Sequence, residues 1–485
     1  MLSVKRALFM SVGERYVLLV TNFVTAALIS RILTPKEIGV SVIGMAILTV
    51  ALSIREFSSA SFLIQHRELH RDDVRSAFTV TFILTGVTAA VLLVASPFLA
   101  RFYSEPNLVP FFRVIVACLF LDATSNLIIA LLRREMSFGK VAAIDIVAAV
   151  ANSAATMALA LADFSYMSFA WGYLIGSGLG AGLAFALCPH VWMFKPSLTN
   201  WRGMISFGGY NGVIAILFRI FDALPLLMLG RVVSPNAAGL FSRTLWIGQI
   251  PDKLVIGGAM AVVLPAFSAE ARQGRDLKRP YLAALSFVTA LHWPALLVLA
   301  VLAHPIVNIA LGHQWTEVAP LVQIVAVALL FSFSFELNYP VMVAVGAIRD
   351  LFIRALIVFP ISGILLSVAI VGGGLQAAAW CMLLTVPFQA YVALSFVQRR
   401  LGLRSRDIAA ALWKSALVAF ASAAPPLAAI GISSSGFDLS NAEAVAAGLT
   451  AFGGWSAGLI ITRHPLLDEV VKIFPALRRA RASAG

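Results

Sequence analysis

The sequence predicts an all-α polytopic membrane protein of about fourteen transmembrane helices, with two six-helix lobes repeated in parallel and two extra C-terminal helices. Three observations carry this. Hydrophobic residues make up 60% of the 485, charged ones 12%, and mean hydropathy is +0.92. An average soluble domain is about 25% charged and roughly 45–50% apolar, so no soluble core could hide the surplus. Second, Arg31-Ile32-Leu33-Thr34-Pro35-Lys36-Glu37-Ile38-Gly39 returns 200 residues later as Arg231-Val232-Val233-Ser234-Pro235-Asn236-Ala237-Ala238-Gly239. Third, the basic residues alternate from loop to loop, as a chain weaving through a bilayer requires.

A spanning helix needs roughly 17–25 mostly apolar residues. Fourteen runs qualify, at 9–31, 38–64, 78–100, 108–132, 141–162, 165–188, 206–230, 237–265, 281–303, 319–345, 351–372, 375–397, 411–431 and 442–462. The first follows Lys5 and Arg6 but is well beyond the 7–15 residues of a signal-peptide core, so a cleaved leader is not expected. Each repeat copy ends one run and starts the next, with Pro and Gly as helix-start and turn residues. Cys118, Cys188 and Cys381 lie far apart in apolar runs and read as small hydrophobes. Ala170-Trp171 in the sixth run is echoed by Ala379-Trp380 in the twelfth. Gly176-Ser177-Gly178-Leu179-Gly180-Ala181-Gly182 looks like a dinucleotide loop but lies within a span, where small residues bring helices close.

Residues 304–312 are too short to cross and read as a Pro-kinked or half-buried segment. Pro225, Pro251, Pro294, Pro340, Pro360 and Pro387 interrupt second-half spans as hinges or passive kinks. Trp171, Trp192, Trp201, Trp315 and Trp380 near span ends read as interfacial anchors. The last two runs have no first-half counterpart.

The N-terminus, the even-numbered loops and the C-terminus hold 26 of the 36 lysines and arginines, and the odd loops hold only Arg31, Lys36, Arg101 and Arg231. Lys/Arg excess marks the cytoplasmic side, so both termini are expected there. The net charge of +13 is thus spread by topology, and no nucleic acid is expected as partner. Six spans separate equivalent points of the two copies; an even count gives both halves the same orientation. The expected lobes are 1–195 (helices 1–6) and 196–400 (helices 7–12), with 401–485 as C-terminal helices 13–14 and a basic tail.

The second half reads Gly239-Leu240-Phe241-Ser242, Gln249-Ile250-Pro251, Leu264-Pro265-Ala266-Phe267-Ser268, and Gly312-His313-Gln314-Trp315 with Ala319-Pro320-Leu321. The first half adds Leu132-Arg133-Arg134-Glu135-Met136-Ser137-Phe138. Over residues 5–400 this ordered series resembles the Wzx-type oligosaccharide flippases, the polysaccharide-exporter branch of the multidrug/oligosaccharidyl-lipid/polysaccharide superfamily. The resemblance implies a MATE-like V of two lobes in a bacterial inner membrane. It also implies outward flipping of undecaprenyl-pyrophosphate-linked sugar units by alternating access, with membrane lipids and polysaccharide polymerase or assembly proteins as further partners.

An ionisable residue at the bilayer centre costs roughly 2.5–3.5 kcal/mol on insertion scales, so each is a functional candidate. The deepest are Arg55, Glu56, Asp122, Arg219, Asp222, Asp252, Lys253 and Glu336, with Arg15, Arg113 and Arg243 nearer an end. Arg15, Arg55, Arg219 and Arg243 are expected in the cavity, because a planar guanidinium binds phosphate bidentately and keeps its charge. Interfacial snorkelling of Arg15, Arg113 and Arg243, and an Arg219–Asp222 pair on one helix, are the structural alternatives. Asp122, Asp222 and Glu336 are candidate ion-coupling carboxylates. No cofactor and no metal are expected; His66 and His70, four apart in a charged loop, lack a third ligand.

Three rival functions remain. A cation-coupled drug or metabolite antiporter of the same superfamily needs an apolar cavity with one or two carboxylates. A membrane glycosyltransferase, polymerase or ligase needs a catalytic acid on a long loop, and outer loops such as 163–165 and 373–374 are short. A scaffold for an assembly complex needs neither.

Overall fold

The computed structural model describes residues 2–53, 63, 70–199, 201–432 and 436–468. Every element among them is helical: α1 Leu2–Ile32, α2 Pro35–Ser53, α3 Arg71–Phe102, α4 Leu108–Arg134, α5 Phe138–Leu161, α6 Met167–Leu187, α7 Trp201–Val232 and α8 Pro235–Gly248. A π turn, Asp252–Ile256, leads to α9 Gly257–Arg272, α10 Lys278–Val301, α11 Ala303–Ala310, α12 Val318–Leu329, α13 Phe333–Glu336 and α14 Asn338–Ala344. The chain ends in α15 Ile348–Leu401, α16 Ser405–Ile432 and α17 Asn441–Ile461.

Eleven of the described helices are long and apolar enough to cross a membrane, twelve if Val318–Leu329 and Phe333–Ala344, bent by 49°, form one crossing. Fourteen separate crossings are not counted among the described residues, for local reasons. The expected span 237–265 is α8 and α9 separated by the π turn, which begins directly after Pro251. Proline offers no N–H and its ring crowds the preceding turn, which ends α8, and the five residues after it take a wider register. Gly257 N–H accordingly bonds to the Asp252 carbonyl, five residues back. The expected spans 351–372 and 375–397 are the two arms of α15, which join at Gly374, where helical geometry fails (φ 62°, ψ −140°). The short segment expected at 304–312 is α11.

The chain divides into two compact units, 1–242 and 243–485. In the first, α5 packs on α6 and α1, α4 on α3 and α6, and α2 on α7. The α5–α6 contact is a meshing of small residues at four-residue spacing. Gly172, Gly176 and Gly180 lie against Thr156, Asn152 and Ala148, so close that a Cβ on Gly172 would sit 2.0 Å from Thr156 Oγ1. This is the packing expected of the glycine-rich stretch; Gly182, by contrast, faces open space.

The two repeat copies also meet in this unit. Thr34 caps α2 in a reciprocal box: Glu37 Oε2 accepts from Thr34 N–H at 2.8 Å, and Thr34 Oγ1 accepts from Glu37 N–H at 3.4 Å. In the second copy Ser234 Oγ accepts from Ala237 N–H at 3.2 Å, and alanine cannot return the bond. Past both caps, Gly39 and Gly239 pass backbone against backbone.

In the second unit, α16 packs on α10 and α17, and α12 on α10 and α15. The appended helices are fastened by polar contacts as well as apolar ones. Trp455 Nε1 donates to the Ala290 carbonyl at 2.9 Å, and Ser415 Oγ to the Ser286 carbonyl at 3.1 Å. His464 Nε2 lies 3.1 Å from Ser286 Oγ and 3.2 Å from Ser415 Oγ.

Candidate functional site at two helix breaks

Within the second unit, two interruptions of helical geometry converge on consecutive residues of α10. The π turn brings Asp252 to His292, whose Nε2 hydrogen-bonds to Asp252 Oδ1. The bend between α12 and α13 frees the Leu330 carbonyl, which accepts from Trp293 Nε1 at 2.7 Å. Ser332, in that bend, donates through Oγ to Asp252 Oδ1 at 3.2 Å. A broken helix leaves backbone groups that must find partners in a bilayer, and here one helix supplies contacts at both breaks.

His292 is fully buried, while the Asp252 side chain is 19% exposed, so the carboxylate is the accessible edge of the pair. Glu336 follows Ser332 by one turn and is exposed. On α15, Arg354 donates to Asn338 Oδ1 at 3.2 Å, and Asn338 Nδ2 donates to the Ala393 carbonyl at 3.1 Å. The arrangement holds proton-exchanging and charged groups in a mostly apolar setting. Among the described residues, no three of His, Cys, Asp and Glu are placed to hold a metal ion.

The residues singled out from sequence are dispersed. Arg55 and Glu56 lie outside the described residues. Arg15 is exposed on α1, Arg113 on α4, and Asp222 on α7. Arg219 is exposed on α7, its guanidinium 5.9 Å from the Phe218 ring centre. Arg243 is buried, 5.8 Å from the Trp315 ring centre, with Nε lacking a hydrogen-bond partner among the described residues. Asp122 on α4 accepts a hydrogen bond from the Tyr173 hydroxyl on α6. His66 lies outside the described residues, and His70 starts α3, its ring 3.7 Å from Asp73. Of the deep charges, the structure brings Asp252 into a bonded cluster, and the partners it finds, His292 and Ser332, carried no flag. A histidine in the middle of the apolar run 281–303 is itself conspicuous on the rule applied to the arginines; Ser332 has no such signal.

A hollow of about 410 Å³ in the first unit is lined by His70, Arg71, Arg134, His190 and Trp192 among others. Arg71 stacks 5.4 Å over the Trp192 ring, consistent with an interfacial tryptophan.

Residues 28–320 match the profile of the family described as "Polysaccharide biosynthesis protein". The chain belongs to that family. Among curated relatives, it is 22% identical over 310 residues to the lipopolysaccharide biosynthesis protein WzxC of Escherichia coli (strain K12). That match covers 63% of each chain, so somewhat under two thirds of the relative's length is spanned. It is 24% identical over 411 residues, 82% of each chain, to the succinoglycan biosynthesis transport protein ExoT of Rhizobium meliloti (strain 1021). Among solved structures, the family member's fold is similar to that of the lipid II flippase MurJ in an inward closed conformation. The TM-score is 0.75 at 12% identity, over 94% of this chain and 98% of that one. That likeness speaks for the fold: the all-helical multi-pass architecture expected of the superfamily is the one present.

Proposed function

We propose that this protein is a lipid-linked oligosaccharide flippase. It carries undecaprenyl-pyrophosphate-linked repeat units from the cytoplasmic to the periplasmic leaflet of a bacterial inner membrane, by alternating access and without catalysis. The observation that carries this is the alignment, over 82% of both chains, with a relative named for transport in polysaccharide biosynthesis. Family membership and the MurJ-like fold support the same reading.

Both termini and the basic even-numbered loops face the cytoplasm, on the Lys/Arg distribution. The lobes are the repeat halves 1–195 and 196–400. Arg15, Arg55, Arg219 and Arg243 contact the pyrophosphate or acidic sugar, while the polyprenyl tail stays in lipid. Their contacts replace water around the head group and remain weak enough to release it. An inside-negative potential favours export of an anion by about 2.3 kcal/mol per charge per 100 mV. Polymerase or other assembly proteins take up the product outside.

The test is a deletion strain assayed for lipid-linked repeat units on the cytoplasmic leaflet. Accumulation there, reversed by the intact gene, is expected. Normal polymer export in the deletion strain would overturn the reading.

A further inference from the structure

One ring nitrogen of His292 faces the Asp252 carboxylate, and the other has no hydrogen-bond partner among the described residues. Nε2 hydrogen-bonds to Asp252 Oδ1 and lies 3.4 Å from Ser332 Oγ, whereas Nδ1 is buried and without a partner. An ionised carboxylate only accepts, so the shared hydrogen belongs to Nε2, and the neutral ring keeps a bare lone pair on Nδ1. Leaving a buried acceptor unpaired costs about 1–3 kcal/mol, so a structural histidine would normally be satisfied at both nitrogens. His464, buried in the same unit, is: its Nδ1 accepts from Leu466 N–H at 3.1 Å.

We propose that Nδ1 of His292 is a proton-binding site and that its loading is the ion-coupled step of transport. The binding stands on the geometry; only its use rests on the flippase reading. One proton taken from water forms an N–H bond at Nδ1 and no bond breaks. The pair passes from carboxylate with neutral imidazole to carboxylate with imidazolium, from one negative charge to none. The π turn that presents Asp252 is the kind of helix irregularity found at functional sites, and the change in charge occurs beside it.

The ionisable groups on the elements packed against α10 are Asp252 and Lys253 on the π turn, Glu270 and Arg272 on α9, His304 on α11, Glu336 on α13, Arg406, Asp407 and Lys414 on α16, and Glu443 on α17. Asp252 bonds to the imidazole; His304 pairs with Asp438 at 3.2 Å, and Lys414 donates to the Arg463 carbonyl at 3.1 Å. Glu336 is the second carboxylate of the cluster, one turn from Ser332.

The experiment is a potentiometric titration of the purified full-length protein, His292→Gln and Asp252→Asn, from pH 8 to pH 5 (the window in which histidines exchange protons). Wild type is expected to bind about one proton per chain more than His292→Gln, and Asp252→Asn, which removes the carboxylate facing the ring, to show an altered uptake curve. Equal uptake by wild type and a folded His292→Gln overturns the site. If that variant fails to fold, an unchanged uptake curve in Asp252→Asn overturns it instead. These readings involve no export, so they fail or stand apart from the flippase assignment. Conversely, export that keeps its dependence on a pH gradient in His292→Gln overturns the coupling and leaves the flippase reading intact.

Discussion

Gly39 and Gly239, equivalent residues of the two repeat copies, face each other so closely that neither has room for a side chain. A Cβ on Gly39 would lie 1.8 Å from the Pro235 carbonyl oxygen, and one on Gly239 would lie 2.0 Å from that of Pro35. The obstacle is backbone in both cases, so an alanine must push the helices apart. Gly39→Ala and Gly239→Ala are each expected to destabilise the purified protein by about 1–3 kcal/mol, the usual scale of overpacking. One displacement makes room for both methyl groups, so the double variant should cost less than the two singles together. Thermal melts of the three variants decide it, and strictly additive losses would contradict the shared contact.

Glycines of α6 should differ sharply by face. A Cβ on Gly176 would meet Asn152 Cβ at 2.6 Å and the Ala148 carbonyl oxygen at 2.7 Å, whereas one on Gly182 meets nothing within 4 Å. Gly176→Ala should therefore lower the melting temperature. Gly182→Ala should hold or raise it, since alanine is favoured over glycine in a helix by about 0.8–1 kcal/mol. Equal losses would show that α5–α6 packing is not the constraint.

The glycine ridge was legible in the sequence because its four-residue spacing is a property of one helix, and so were the membrane class and the duplication. The His292 site was not. Asp252, His292 and Ser332 lie 40 residues apart in successive runs, and what unites them is where two helices break. The sequence shows Pro251, but not that the turn after it widens to place Asp252 against α10. Depth in an apolar run, the signal applied to the arginines, measures cost and says nothing about partners. It therefore set exposed Arg219 among the deepest charges and buried Arg243 nearer an end.

His464 should make stability depend on pH. Its Nδ1 accepts from Leu466 N–H, so the folded ring carries its hydrogen on Nε2, toward Ser286 and Ser415. Burial, and then the nearby charge of Lys414, push its pKa below the ordinary histidine value of 6.5. The unfolded chain therefore binds the proton more readily. This contribution to stability is intact above about pH 6.5 and is lost as pH falls below it. Melting temperatures at pH 8 and pH 5 should differ more in wild type than in His464→Gln. The same difference in both would remove His464 as the cause.

Arg219 and Arg243 should separate in their effects because one is exposed and the other is packed against Trp315. Arg219→Ala should leave the melting temperature within the small change typical of surface positions. It should lower export about tenfold, the scale of one contact worth roughly 1.4 kcal/mol. Arg243→Ala opens a void beside Trp315 and should lower the melting temperature, as truncations in a core do. Arg243→Met fills most of that space without a buried charge, so it should restore stability. Export by the methionine variant then isolates the guanidinium: a loss places the charge on the substrate, and full export confines Arg243 to packing. Folded Arg219→Ala that exports normally would remove Arg219 from the binding surface.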